Sequence, residues 1–184
     1  AGETYYNLSE KDLRMLEVIE EECLSKILNT GQNCPKTLLY LETGHQPACF
    51  HIFRMVLNFL KYILDQESST LISRFFIAQK ENPTKGDWVN YVRKLMIDMN
   101  INFTFEDISK MKKRTFKNIV NTQVLKASFK YLLSKIKSKG KEINYGNELK
   151  CQQYLKPNSI LTFEQQISFF SYRSRIQKLQ YNYP

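Results

Sequence analysis

The sequence predicts an all-α protein, a multi-helix bundle of about seven to eight helices, and three observations carry that prediction. Glycine and proline are scarce, at 6 and 5 in 184 residues, while 42% apolar and 13% aromatic residues supply enough side chain for a packed core. Apolar residues recur at three- and four-residue intervals through most of the chain. Several of these runs are introduced by Ser or Thr with an acidic or amide side chain three residues later, the pattern of a capping box.

Ser9 with Asp12 opens the first helix, in which Leu13, Leu16, Ile19, Cys23, Ile27 and Leu28 follow at helical spacing and Gly31 supplies a stop. Its acidic residues are expected to face water. A short segment from Pro35 to Leu41 closes at Gly44, and Pro47 stands in the first turn of a helix reaching about Leu64. Ile52, Met55, Val56, Phe59, Leu60 and Ile63 make that helix apolar on most sides, as suits the central member of a bundle. Ser68 or Ser69 caps the run TLISRFFIAQK. In NPTKGDW, Thr84 and Asp87 mark another helix start. Trp88 in its first turn, ahead of Val92, Leu95, Met96 and Met99, reads as a core or inter-helix anchor whose indole N–H reaches a backbone partner. Thr104 with Asp107 begins a further helix. A polar break from Gly140 to Asn147 precedes a helix around Glu148 to Leu155, and Thr162 with Gln165 opens the last one, TFEQQISFFSYRSRIQKL.

Charge is distributed unevenly along these elements. The formal net charge is +9 and the pI about 9.3, a balance that favours an anionic partner. From Lys110 to Lys141 there are eleven Lys or Arg and no Asp or Glu. Phe116, Ile119, Val120, Val124, Leu125, Phe129, Leu132, Leu133 and Ile136 form the apolar face of this run, leaving the cations to the other faces. Two readings apply: a solvated face of a basic protein, or a surface that tracks phosphates. The absence of acids forgoes the i,i+4 pairs that exposed helices commonly use, which favours the second. The boundary between an acidic and apolar first half, 1–101, and a basic second half, 102–184, falls at Ile101 to Phe103.

Other chemistries find little support. The stretch around Gly86 fails as a phosphate-cradling loop, because it has one glycine, its lysine precedes that glycine and no strand leads into it. No nucleophile motif, zinc-protease motif or metal-holding carboxylate pair is present. Cys34, His45, Cys49 and His51 match no zinc-finger or knuckle spacing, so neither metal nor other cofactor is expected. Four scattered cysteines suit reduced thiols in an intracellular protein, nuclear or cytoplasmic. No apolar run has membrane-spanning length, and no signal peptide opens the chain, which starts without methionine and reads as a fragment or processed product.

ETYYNL at Glu3 to Leu8, CPKTLLYLETG at Cys34 to Gly44, NFLKYIL at Asn58 to Leu64, FFIAQKENPTKGDWV at Phe75 to Val89 and FFSYRSR at Phe169 to Arg175 occur in this order. Together they resemble the region following the polymerase palm in reverse transcriptases of non-LTR retrotransposons, the jockey-like mobile elements. The resemblance spans nearly the whole chain. It implies a helical thumb over 1–101 and a linker over 102–184, gripping a template-primer duplex by its backbone. In such proteins the palm precedes this region, and a Cys/His knuckle and a nuclease often follow. The palm's metal-binding carboxylates are not in this sequence, so the implied RNA-directed DNA polymerase activity belongs to the parent protein and not to this chain. Two positions depart from the family's pattern: Arg54 is followed by Met55 where a basic pair is usual, and Tyr5 stands where Trp is frequent.

Two functions follow as expectations. In one, Arg54, Lys110, Lys112, Lys113, Arg114, Lys117, Lys126, Lys130, Arg173 and Arg175 contact the phosphates of RNA, DNA or a hybrid duplex without reading sequence, and exposed aromatics stack on unpaired bases. Lys112, Lys113, Arg114, Lys117, Arg173 and Arg175 are expected to carry most of that contact. In the other, the chain is a structural or interaction module that binds the remainder of the parent polyprotein or an acidic protein, or a repurposed free-standing protein, with no nucleic-acid contact.

Overall fold

The computed structural model describes residues 8–30, 34–137 and 149–182, and beyond Ser171 only the side chain of Arg173. The protein is all-α, with eight α-helices among the described residues: α1 Glu10–Ile27, α2 Lys36–Thr43, α3 Ala48–Leu64, α4 Leu71–Glu81, α5 Trp88–Asp98, α6 Phe105–Lys110, α7 Lys113–Lys137 and α8 Phe163–Asn182. Around Gln153–Leu155 the expected helix is a single 3₁₀ turn. Tyr5, Gly31, Gly140, Lys141, Asn147, Glu148 and the side chain of Arg175, all named in the sequence reading, lie outside the described residues.

The helix starts follow local hydrogen bonding. Thr104 and Asp107 form a complete capping box on α6. Thr162 and Gln165 do the same for α8, with Thr162 N donating to Gln165 Oε1 at 2.9 Å and Gln165 N to Thr162 Oγ1 at 3.3 Å. Thr84 and Asp87 pair as their spacing suggests, but the helix begins later. Asp87 itself is the N-cap of α5, and its carboxylate reaches back to Thr84 N at 2.6 Å and Thr84 Oγ1 at 2.5 Å. On α4 the cap is Thr70, which accepts from Ser73 N at 3.4 Å, in place of Ser68 or Ser69.

The chain divides into two compact units, one of residues 1–10 and 49–127 and the other of residues 11–48 and 128–184. This is not the division expected at 101–103. Charge composition changes there, but packing does not: Ile101, Phe105 and Ile108 are buried in the same unit as α3 to α5.

In the first unit, α3 supplies the buried residues Ile52, Val56, Leu57, Leu60 and Ile63. Met55 is 42% exposed, contrary to its expected place on the apolar face, and Leu57 and Lys61 are buried instead. The stripe has rotated because Lys61 is drawn inward by two oxygens, Asp65 Oδ1 at 2.5 Å and Ser109 O at 3.2 Å. Trp88 packs edge-on against Phe59 and Phe76, with ring centroids 5.8 and 6.4 Å away, and Phe76 meets Phe105 at 5.3 Å. Its indole N–H has no hydrogen-bond partner among the described residues, so Trp88 anchors by ring packing and not by the backbone bond expected of it.

In the second unit, Leu28, Leu39 and Phe170 form a core cluster, joined by Leu24, Cys34, Tyr154 and Leu155. Here α1 departs in part from its expected orientation, for although Leu28 is buried and Leu13 half-buried, the acidic residues do not all face water. Glu17 and Glu21 are buried at 4% and 6% exposure, whereas Met15, Leu16, Val18, Ile19 and Ile27 face outward. The reason is a set of matched donors on the inner side. Glu17 accepts from Arg14 at 2.9 Å, Tyr131 Oη at 3.2 Å and Lys135 Nζ at 3.2 Å, and Arg14 also reaches Glu21 at 3.2 Å. Glu20 accepts from Tyr40 Oη at 3.0 Å and Ala48 N at 2.8 Å, and lies 2.7 Å from His45 Nε2. Burial, and then the Glu20 charge, push the Tyr40 phenol well above its ordinary range.

The end of α2 is held as firmly. Gly44 caps the helix at φ 68°, and a Cβ there would lie 2.1 Å from Cys151 N. Gln152 N donates to Glu42 O at 2.8 Å, while the buried Glu42 carboxylate accepts from Tyr154 Oη at 2.6 Å and Arg173 at 2.9 Å.

Three outcomes test this architecture. Gly44→Ala meets both a strained φ and a backbone collision, so chemical denaturation is expected to show a loss of at least about 2 kcal/mol. Glu42→Ala leaves Arg173 and Tyr154 without their acceptor, and the same measurement is expected to fall by about 3–5 kcal/mol. Lys135 is opposed by burial, yet Tyr131 and Glu17 carry its pKa above the ordinary 10.5. Its contribution to stability is therefore complete below that ordinary value and lost as pH rises through its own higher one. Alkaline titration of Lys135→Met is expected to lack that part of the transition.

Candidate nucleic-acid interface

Between α6 and α7 the chain makes one turn in which Lys110, Lys112, Lys113, Arg114 and Lys117 are all exposed. The turn is fixed from beneath. Ile108, Phe116 and Val120 are fully buried, which anchors both helices and turns the intervening cations outward. Met111 takes an extended conformation and its N–H bonds Ile108 O at 3.1 Å, while Phe116 N bonds Lys112 O at 3.1 Å. The buried Lys61 ammonium adds a third restraint through Ser109 O, a carbonyl in the last turn of α6. Sequence reasoning missed that role of Lys61. The available signal was a lysine one turn after Leu57 inside the apolar run of α3.

The electrostatics of this turn run against helix stability. A first helical turn favours acids, because its unpaired N–H groups carry positive partial charge; α7 has none there and places Lys113 and Arg114 in that turn. No carboxylate within 4 Å pairs with Lys112, Lys113, Arg114 or Lys117 among the described residues. The positive potential of the side chains and that of the helix end therefore add. Local conflicts of this kind with helix propensity concentrate at functional or strained positions.

The other expected contact residues are not gathered at this turn. Lys126 and Lys130 are exposed on α7, one turn apart on a common face. Nine residues separate Lys117 from Lys126, about two and a half turns, so the two basic groups project from opposite sides of the helix. A winding core contact explains this. Every fourth residue from Phe116 through Val120, Val124, Ser128 and Leu132 to Ile136 is buried. Each step of four exceeds a full turn by about 40°, so the buried line moves round the helix and no single polar face is left.

Arg54 is half-buried in α3, and burial lowers its pKa, so its charge is partly withdrawn from solvent. Arg173 is engaged elsewhere: it pairs with the buried Glu42 and lies 5.7 Å from the Tyr154 ring centroid. Glu42 was the unforeseen partner, being 131 positions away in sequence.

Beside the N-terminal end of α6 is a cleft of about 510 Å³ lined by residues including Arg93, Ile97, Asn102, Phe103 and Phe105. Arg93 lies over Phe105 at 5.5 Å and donates to Asn90 Oδ1 at 3.3 Å. At its edge Lys80 pairs with Glu106, and this pair and hydrogen bonding hold the Glu106 carboxyl below its usual range. Phe103 is 38% exposed at this cleft. Among the described residues no helix is long and apolar enough to cross a membrane. No family model, no curated protein and no solved structure matches this chain.

Proposed function

We propose that this chain is a non-catalytic, nucleic-acid-gripping helical region of a retrotransposon reverse transcriptase, which contacts the backbone of a template-primer duplex without reading its sequence. The observation that carries the reading is the exposed basic turn at the start of α7, where Lys112, Lys113, Arg114 and Lys117 have no carboxylate within 4 Å among the described residues. Five cations in the eight residues from Lys110 to Lys117 suit an array of phosphates better than a single acidic side chain, because each releases a condensed counterion on binding. The association with reverse transcriptases comes from the five sequence segments named above. Within this proposal the polymerase chemistry belongs to the parent protein, and the other partner is the remainder of that polyprotein.

Mechanically, the turn works as a fixed cationic edge. Ile108, Phe116 and Lys61 hold its backbone, so little ordering of the chain opposes binding. Lysines serve as point charges toward phosphate, and Arg114 adds a planar donor fork. None of these groups reads base identity, so the grip tolerates any sequence passing along it. Lys126 and Lys130, on the other side of α7, are secondary contacts at most for a duplex seated on the turn.

Fluorescence anisotropy of a labelled RNA–DNA hybrid, titrated across a salt series, tests this reading. The logarithm of affinity is expected to fall steeply and linearly with the logarithm of salt, with little sequence preference. Replacing Lys112, Lys113, Arg114 and Lys117 together by Gln is expected to flatten the slope by about 3–4 units, and Lys126→Gln with Lys130→Gln by about one unit or less. Absence of binding by the parent chain at low salt, or an unchanged slope in the fourfold variant, refutes the proposal and directs attention to protein partners.

A further inference from the structure

The cleft beside α6 is separate from the basic turn, and the chain that forms one of its walls is fixed at both ends. At the end of α5, Asn100 takes φ 53°, its N–H bonds Ile97 O at 2.9 Å and Ile101 N bonds Met96 O at 2.8 Å, the paired closure of a Schellman motif. A few residues on, the Thr104–Asp107 capping box sets the start of α6. Met96, Ile101 and Phe105 are buried in this lining, while Ile97 and Phe103 are exposed. At about 510 Å³ the cleft falls within the usual range of small-ligand sites, about 300–1,000 Å³.

One charge of the lining is left over. Glu106 is paired with Lys80, whereas Arg93 has no carboxylate within 4 Å among the described residues. Its guanidinium lies over the Phe105 ring and donates to Asn90 Oδ1, a neutral acceptor. A single surplus cation beside two phenyl rings and the exposed amide of Asn102 matches a ligand with one negative charge, a flat apolar face and hydrogen-bonding edges. A nucleotide within a strand has all three, in its phosphodiester and its base. Continuity selects such a nucleotide over a free apolar acid. Glu106 at the cleft and Lys110 in the basic turn are one turn apart on the same side of α6, about 6 Å, which about two stacked nucleotides span. We infer that this cleft receives an unpaired nucleotide at the end of the duplex held by the basic turn, with Phe103 stacking on the base and Arg93 bonding the phosphate. The inference rests on the duplex grip proposed above and adds to it a preference for a single-stranded extension.

Fluorescence anisotropy with three labelled RNA–DNA hybrids at one salt concentration tests it: a blunt hybrid, the same hybrid extended by about three unpaired nucleotides, and that extension with its bases removed. Each affinity is referred to the blunt hybrid on the same protein, and circular dichroism confirms that every variant is folded. On the parent chain the intact overhang is expected to bind at least about fivefold more tightly than the abasic one. Phe103→Ala is expected to erase that difference, and Arg93→Gln to weaken both overhangs about threefold or more relative to the blunt hybrid. An intact overhang that gains nothing over the abasic one, with blunt binding retained, overturns the cleft and leaves the duplex grip standing. So does a gain that Phe103→Ala or Arg93→Gln leaves unchanged. Absence of binding to all three hybrids overturns the grip and this inference together.

Discussion

The second unit depends on carboxylates being buried opposite matched donors. An ionised side chain inside a protein is costly unless its partners are in place, and removing one partner leaves a charge that the interior does not solvate. Glu17, Glu20 and Glu42 each accept from two or more donors drawn from other elements. These bonds determine which side of α1 faces inward, where α3 begins and how the segment after residue 150 meets α2. The outward apolar residues of α1 and its buried acids are thus two results of one constraint.

The first unit is organised by ring packing, with one buried cation. Phe59, Trp88, Phe76 and Phe105 form a series of edge-to-face contacts running from α3 to α6. Lys61 extends that link, its ammonium shared between Asp65 and the last turn of α6. The basic turn that follows is consequently held on a packed base, even though its cations oppose the dipole of the helix they begin. Local instability tolerated on a fixed scaffold is a common feature of binding surfaces.

Much of the architecture was legible locally. The capping boxes at Thr104 and Thr162, and the glycine stop at Gly44, involve residues no more than a few positions apart, and they form as their spacing requires. The candidate interface was legible only in part. An absence of acids from Lys110 to Lys141 is visible in the sequence, but its division into two groups is not, because the buried line winds round α7. Arg173 looked available for the same kind of reason: its partner, Glu42, stands 131 positions away.

By itself the sequence determined the helical class, most helix starts and the position of the positive charge. These follow from periodicity, from side chains that bond neighbouring backbone, and from residue counts, all of which act over a turn or two of helix. The tertiary structure alone decided the side of α1 that is buried, the boundaries of the two units, and which cations of the described residues pair with carboxylates. Each of those depends on donors and acceptors brought together from distant segments. In such cases the free energy of burying a charge depends on partners that local pattern does not specify.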